Sequence, residues 1–368
     1  MKNKLRLRFL PFLLALILLL SCAFPAAADE PAYDFSSISL ADAIADFMTE
    51  HKLTETNFAM GWYDIESGES FYVNGDSFFK AASMYKLPLA MVCYDRIAEG
   101  TLNPKTNYSG WQLGVALKHA ITQSNNEAAA AMRHAISYDQ VTYRNAMAAY
   151  SGLDVETFPY TYYSGNHISP EFMINTLKTL WDRSEDFPEL IEDLKNASPG
   201  MCFATDEDRQ FEMGHKYGAF EGAVDDCAIV WADRPYLLVA FTQDAYYAER
   251  ALRELYSMME DYAVYLHEQD VAAEEARLAE EQAAAEAQRL AEEQAAEEAR
   301  RIAEEQAAEA RRIAEEQAAA EARRIAEEQA AAQRHTHTVI ALSAGAVIVA
   351  AAAAAAILLR KKRQKISA

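Results

Sequence analysis

Runs rich in aromatic, β-branched and other apolar residues mark out strands at both ends of one long segment. Phe58–Asp64 and Ser70–Val73, separated by Glu66-Ser67-Gly68-Glu69, predict two strands and a turn. Residues 211–219, 227–231 and 236–243 predict three more, the last two joined at Asp233-Arg234-Pro235. Between these sets apolar positions recur at helical spacing, which predicts helices over 85–99, 113–122, 127–135, 138–150 and 170–183. A further helix begins at about Tyr246. Strands from both ends with a helical insertion imply an α+β fold. Its five-stranded antiparallel sheet is flanked by terminal helices, and the insertion forms an all-helical lobe. A cleft between sheet and lobe is the natural place for a site.

The globular part spans roughly 31–267. Before it, Lys2, Lys4, Arg6 and Arg8 precede an apolar run ending at Leu20, and Ala26-Ala27-Ala28 supplies small residues, so 1–28 reads as a signal peptide. Leu19-Leu20-Ser21-Cys22 offers a second cut that leaves Cys22 as a lipidated first residue. After it, 339–359 is apolar and uncharged for the length of a spanning helix, and 360–368 begins with Arg360-Lys361-Lys362-Arg363. A single-pass type I protein follows, held in the cell membrane with its globular part outside the cell.

Residues 268–334 form a low-complexity stalk. Arg-Leu/Ile-Ala-Glu-Glu-Gln recurs from Arg277, Arg289, Arg301, Arg312 and Arg324, without Gly or Pro. Repeats of twelve rotate a helix ~120° beyond whole turns, so Leu278, Leu290 and Ile302 spiral around it. That favours a solitary helix laced by ion pairs, about 100 Å long, over a coiled-coil oligomer. Both remain readings of the same repeat.

The net charge of −22 excludes nucleic acid as a partner and requires any anionic substrate to meet locally placed cations. Besides Cys22 there are Cys93, Cys202 and Cys227, of which Cys202–Cys227 is the first pair to test for a disulfide. Their spacing matches no zinc site, and neither metal nor cofactor is expected.

Three short motifs carry candidate chemistry. Ser83-Met84-Tyr85-Lys86 lies where a loop enters a helix; residues three apart share a face, so a neutral Lys86 amine can approach and deprotonate the Ser83 hydroxyl. Ser124-Asn125-Asn126 separates two helices and reads equally as an N-cap. His215-Lys216-Tyr217-Gly218 falls on a strand, where alternation turns His215 away from the face Lys216 occupies. Each alone has a purely structural reading. Together, and in this order, they resemble the Ser-x-x-Lys, Ser-x-Asn and Lys-Thr-Gly set of class A β-lactamases and penicillin-binding transpeptidases.

That resemblance spans most of 36–267 and implies a role for each matching residue. Ser83 is acylated with Lys86 as base, and Ser124 passes a proton to the leaving nitrogen. Asn126 holds the substrate amide and orients Lys86. Lys216 attracts the substrate carboxylate and tunes Ser124, Gly218 leaves room for substrate against the sheet, and Ser83 and Ala219 offer N–H groups to the oxyanion. The sequence also departs from the family. No Glu-x-x-Leu-Asn segment lies between Ser151 and His167, where Asp154 and Glu156 read as loop charges and Tyr160, Tyr162 and Tyr163 as packing. The stretch from Lys86 to Ser124 is short, Tyr217 replaces the middle hydroxyl residue, and Arg234 sits in a turn. His119 and His134 read as structural. The implied function is an acyl-serine hydrolase acting on β-lactams or related amides. The alternatives are a carboxypeptidase or transpeptidase acting on peptidoglycan stem peptides, and a non-catalytic binding module.

Overall fold

A computed structural model describes residues 33–200, 202–205 and 209–364. The expected signal segment with Cys22, and the end of the basic tail, lie outside them. Contacts divide the chain into two units, Met1–Glu274 and Glu275–Ala368.

Among the described residues the first element is α1 (Leu40–Glu50), which the strand and helix signals in the sequence did not mark. Ser39 caps it by accepting from the Asp42 amide, and Leu40, Ala43, Ile44 and Phe47 bury one stripe at helical spacing. Next come β1 (Phe58–Asp64), β2 (Ser70–Val73) and the two-residue β3 (Phe79–Lys80). The lobe follows: α2 (Lys86–Ala98), a small hairpin of β4 (Asn107–Tyr108) and β5 (Trp111–Gln112), α3 (Leu113–Thr122), α4 (Asn126–Ile136), α5 (Gln140–Ala148) and α6 (Tyr160–Gly165). Then β6 (His167–Ile168) pairs back on β3, followed by α7 (Pro170–Asp182) and α8 (Pro188–Lys195). The chain returns as β7 (Glu212–His215), β8 (Gly218–Phe220), β9 (Ala223–Trp231) and β10 (Tyr236–Gln243), before α9 (Ala248–Gln364).

Strand order is β2-β1-β10-β9-β7, all antiparallel, with β8 also on β9. β7 and β8 are one strand position, because His215 opposite Ala228 and Gly218 opposite Asp225 keep a single register. The predicted strand 211–219 is thus interrupted only at Lys216 and Tyr217. Five strand positions result, as expected from the sequence.

Alternation sorts the sheet residues into two cores. Ala59, Cys227, Ile229, Leu237, Val239 and Phe241 face the lobe. Met60, Trp62, Ala228, Val230, Leu238 and Ala240 face α1 and the first turns of α9, through Leu252, Leu255 and Met259. From Leu87 to Cys93 helix α2 is apolar all round, and Leu87, Leu89, Ala90 and Met91 are fully buried, so this part forms the axis of the lobe. The first residue of the helix, Lys86, is therefore buried as well.

The expected Cys202–Cys227 bridge is corrected by this arrangement. No disulfide joins the two. They lie in different cores: Cys227 packs on the lobe face and Cys202 on the other. Within its later turns α9 carries the repeats, with lateral ion pairs such as Arg312–Glu309 at 3.5 Å and Arg324–Glu321 at 3.7 Å. Such exposed pairs contribute only ~0.3–0.5 kcal/mol each. It also contains, among the described residues, one stretch long and apolar enough to cross a membrane.

Burial raises the pKa of the Cys93 and Cys227 thiols, the former to about 12, and keeps reagent away from them. Alkylation of the native chain should spare both residues, and denaturant should expose them. Peptide mass spectrometry that found either one modified without denaturant would contradict the packing.

Candidate active site

Ser83 sits in the turn that leads into α2, partly exposed. The Ser83 carbonyl accepts from the Lys86 amide at 3.1 Å, and the Ala81 carbonyl from the Met84 amide at 2.8 Å. These i to i+3 bonds tighten the start of the helix toward three residues per turn, where positions i and i+3 eclipse. Ser83 and Lys86 thus share a side because of this tight turn rather than a regular α-helix. Ala82 holds φ of 39°, a left-handed value rare without glycine. Its carbonyl accepts from Asn166 Nδ2 at 2.7 Å, which ties the turn to the segment after α6.

Between α3 and α4 the three residues of the second motif divide their tasks. Asn125 is the helix cap, its side chain accepting from the Ala128 amide at 2.8 Å. Ser124, at φ of 54°, and Asn126 are left to face Lys86. Lys86 Nζ donates to the Ser124 carbonyl at 2.5 Å and to Asn126 Oδ1 at 2.8 Å, with Ser124 Oγ at 3.4 Å. From the sheet, Lys216 Nζ donates to Ser124 Oγ at 2.9 Å and to the Tyr217 carbonyl at 2.7 Å. One hydroxyl lies between two ammonium groups, both fully buried.

Burying an ammonium disfavours its charged form, and among the described residues no carboxylate touches either one. Burial, reinforced by Lys216 and then Arg133, lowers Lys86 to about 7. Burial also lowers Lys216 to about 8, although Asp226 opposes the fall. At neutral pH a large fraction of Lys86 is therefore a neutral amine with a free lone pair.

Strand β8 closes the other side. A Cβ on Gly218 would lie 2.6 Å from Ser83 N and 2.8 Å from Ala82 Cβ, so only glycine permits this approach. Among the described residues the Ser83 N–H meets no protein acceptor. A cleft of about 270 Å³ opens here, lined by Ser83, Asn126 and Ala219 together with Arg133, Arg144 and Asn166. Lys216 is fully buried behind Ser124, with its Nζ on that hydroxyl. His215 points to the opposite core, as the strand alternation predicts, with Nδ1 3.1 Å from Asp226 Oδ1. Tyr217 packs its ring on that side too, against Gly200. Arg234 pairs with Asp64 at 2.5 Å in the β9–β10 turn.

Among the described residues, none that lines the cleft carries a carboxylate. Four positions before Asn166 stands Tyr162, fully buried, its hydroxyl donating to the Arg144 carbonyl at 2.6 Å. Asp154 caps a short turn by accepting from the Glu156 amide at 3.0 Å. The sequence reading passed over Arg133, Arg144 and Asn166. Asn166 carried a signal, being an asparagine after Gly165 in left-handed conformation at φ of 57°. Among the described residues, Glu50, His51 and Glu254 form a grouping with metal-like spacing, on α1 and α9 rather than in the cleft.

A model of the beta-lactamase enzyme family matches residues 39–258. Comparison with curated proteins finds no match. Among solved structures, a beta-lactamase from Xanthomonas campestris pv. campestris superposes with a TM-score of 0.51 at 18% identity, over 60% of this chain and 96% of its own. The class A beta-lactamase of the last common ancestor of Gram-negative bacteria gives a TM-score of 0.52 at 18% identity, over 62% of this chain and 100% of its own. At that identity the likeness establishes the fold: a sheet and helical lobe of β-lactamase type.

The lysine geometry has a direct electrostatic test. A side-chain NMR titration should place Lys86 near 7 and Lys216 near 8. In Lys216→Met the Lys86 value should rise, because a neighbouring positive charge is gone. A Lys86 value near that of free lysine, or one that falls in the variant, would contradict the arrangement.

Proposed function

The chain belongs to the beta-lactamase enzyme family, and from that premise we propose that Ser83 is the nucleophile of a serine acyl-transfer site for β-lactams or related amides. The observation that carries this reading is the Ser124 hydroxyl held 2.9 Å from Lys216 Nζ and 3.4 Å from Lys86 Nζ. Neutral Lys86 takes the proton as Ser83 Oγ attacks the carbonyl carbon. The Ser83 and Ala219 N–H groups receive the developing oxyanion. As the C–N bond breaks, Ser124 passes its proton to the leaving nitrogen and is resupplied from a lysine. Asn126 holds the acyl amide, and Gly218 gives the substrate room beside β8. Lys216 acts on the substrate through Ser124.

Release of the acyl group needs a base for water, and Lys86 is the base at hand, since among the described residues no lining one is an acid. A cationic wall holds no proton acceptor comparable to a glutamate. The acyl-serine is accordingly long-lived. This favours, as a second reading, a peptidoglycan-directed carboxypeptidase or transpeptidase over a fast antibiotic hydrolase. The apolar segment 339–359 serves in this proposal as the membrane anchor, 268–334 as a spacer and 31–267 as the extracellular enzyme.

Intact-mass measurement on the full chain with benzylpenicillin tests the chemistry. One adduct should appear on Ser83, persist for minutes or longer and be absent from Ser83→Ala. The acylation rate should climb about tenfold per pH unit below about 7, where Lys86 is protonated, and level off above it. Failure to acylate Ser83 at any pH would sink the reading. Gly218→Ala should slow acylation roughly 100-fold by displacing the Ser83 amide.

A further inference from the structure

Two guanidinium groups on the cleft wall touch none of the reacting atoms in the acylation just described, although Arg133, after burial and Lys216, helps to lower Lys86. Arg133 follows Asn126 by seven residues on α4, so both share a face two turns apart, ~10 Å along the axis. Arg144 comes from α5 and is only 5% exposed. It donates from Nη1 to Asn166 Oδ1 at 3.1 Å. The Nε atoms of both arginines are buried and meet no acceptor. Both groups lie by the Tyr143 ring, 6.0 and 5.7 Å from its centroid, and Arg144 is 5.4 Å from that of Tyr162.

Among the described residues neither arginine forms an ion pair, although the chain has 56 Asp and Glu against 34 Lys and Arg. A buried cation ordinarily recruits one of those acids. Here two adjacent cations line a cleft with no acid in its wall. Lys80, the other lining cation, is already engaged by Glu221 at 2.6 Å.

We propose that Arg133 and Arg144 form an anion subsite that recognises a second carboxylate, carried on the acyl side of the substrate. The inference rests on the Ser83 reading, because that reading sets which end is which. Ser124 and Lys216 stand at the leaving nitrogen, whereas Asn126, at the acyl amide, leads along α4 to Arg133. A guanidinium presents a planar fork of N–H donors that fits a carboxylate in two-point contact. Aromatic faces hold such a group flat while leaving its edge free. The substrate class is an amide or lactam whose acyl chain ends in a carboxylate, an acidic peptide being the natural example.

The test uses the full chain in detergent and two penicillins that differ at one group. Each carries a five-carbon diacid-derived acyl chain, ending in a free carboxylate in one and in a primary amide in the other. The rate of Ser83 labelling is read by intact mass for both. The carboxylate form should label about tenfold faster or more, and high salt should shrink that ratio. In Arg133→Gln and in Arg144→Gln the ratio should fall toward one. It compares two ligands on one preparation, so loss of folded protein cancels, and Arg133, being partly exposed, gives the milder substitution. A ratio of one in the native chain, or one undiminished in both variants, overturns the subsite and leaves the Ser83 reading intact. Labelling by neither penicillin overturns both.

Discussion

The fold is built around two ammonium groups kept out of water, with no carboxylate among the described residues in direct contact with either. A lone charge moved into a protein interior costs several kcal/mol, and each hydrogen bond made by a charged donor returns only about 1.5–3 kcal/mol. Fixed acceptors are therefore needed from several directions at once. The Ser124 carbonyl, Asn126 Oδ1 and the Tyr217 carbonyl supply them. The remaining cost appears as a loosened proton on Lys86. This requirement links the start of α2, the turn between α3 and α4, and the interruption between β7 and β8. Three segments distant in sequence must meet within hydrogen-bond distance, and the two cores hold them there.

Much of this was legible in the chain, for reasons that differ by element. Phe58–Asp64, Ser70–Val73 and Tyr236–Gln243 have the bounds their composition predicts, because buried strands are written in aromatic and aliphatic residues. Leu113–Thr122 is as clear by its helical stripe. Helix α8, eight residues behind Pro188, is too short to stand out, and its burial is supplied by neighbours. The second motif was readable as a cap and as chemistry. The structure divides it, with Asn125 capping the helix and its neighbours facing the lysines. The disulfide expectation failed because spacing along the chain says nothing about which face of a sheet a thiol occupies. Arg133 and Arg144 carried no local signature at all. Their meaning comes from a missing acid, which only three-dimensional proximity reveals.

The charge of the cleft runs against that of the chain. A molecule of net charge −22 repels anions at long range, yet it places Lys80, Arg133 and Arg144 around one small cavity. Such a contrast focuses the field inside the cleft while leaving the outer surface unattractive to nucleic acid and acidic lipid. Discrimination among anions then depends on reaching the interior rather than on adhering to the surface.

Ala82 and Ser124, both in left-handed backbone without being glycine, flank the Ser83 cleft from two sides. Strain of this kind costs of order 1–3 kcal/mol per residue and is sustained by the surrounding packing. Evolution toward a hardier chain would find relief most cheaply at those two positions. Relaxing them would let the Ser83 turn and the Ser124 carbonyl drift apart. Backbone relaxation and the closeness of these two segments are thus opposed at the same two peptide units.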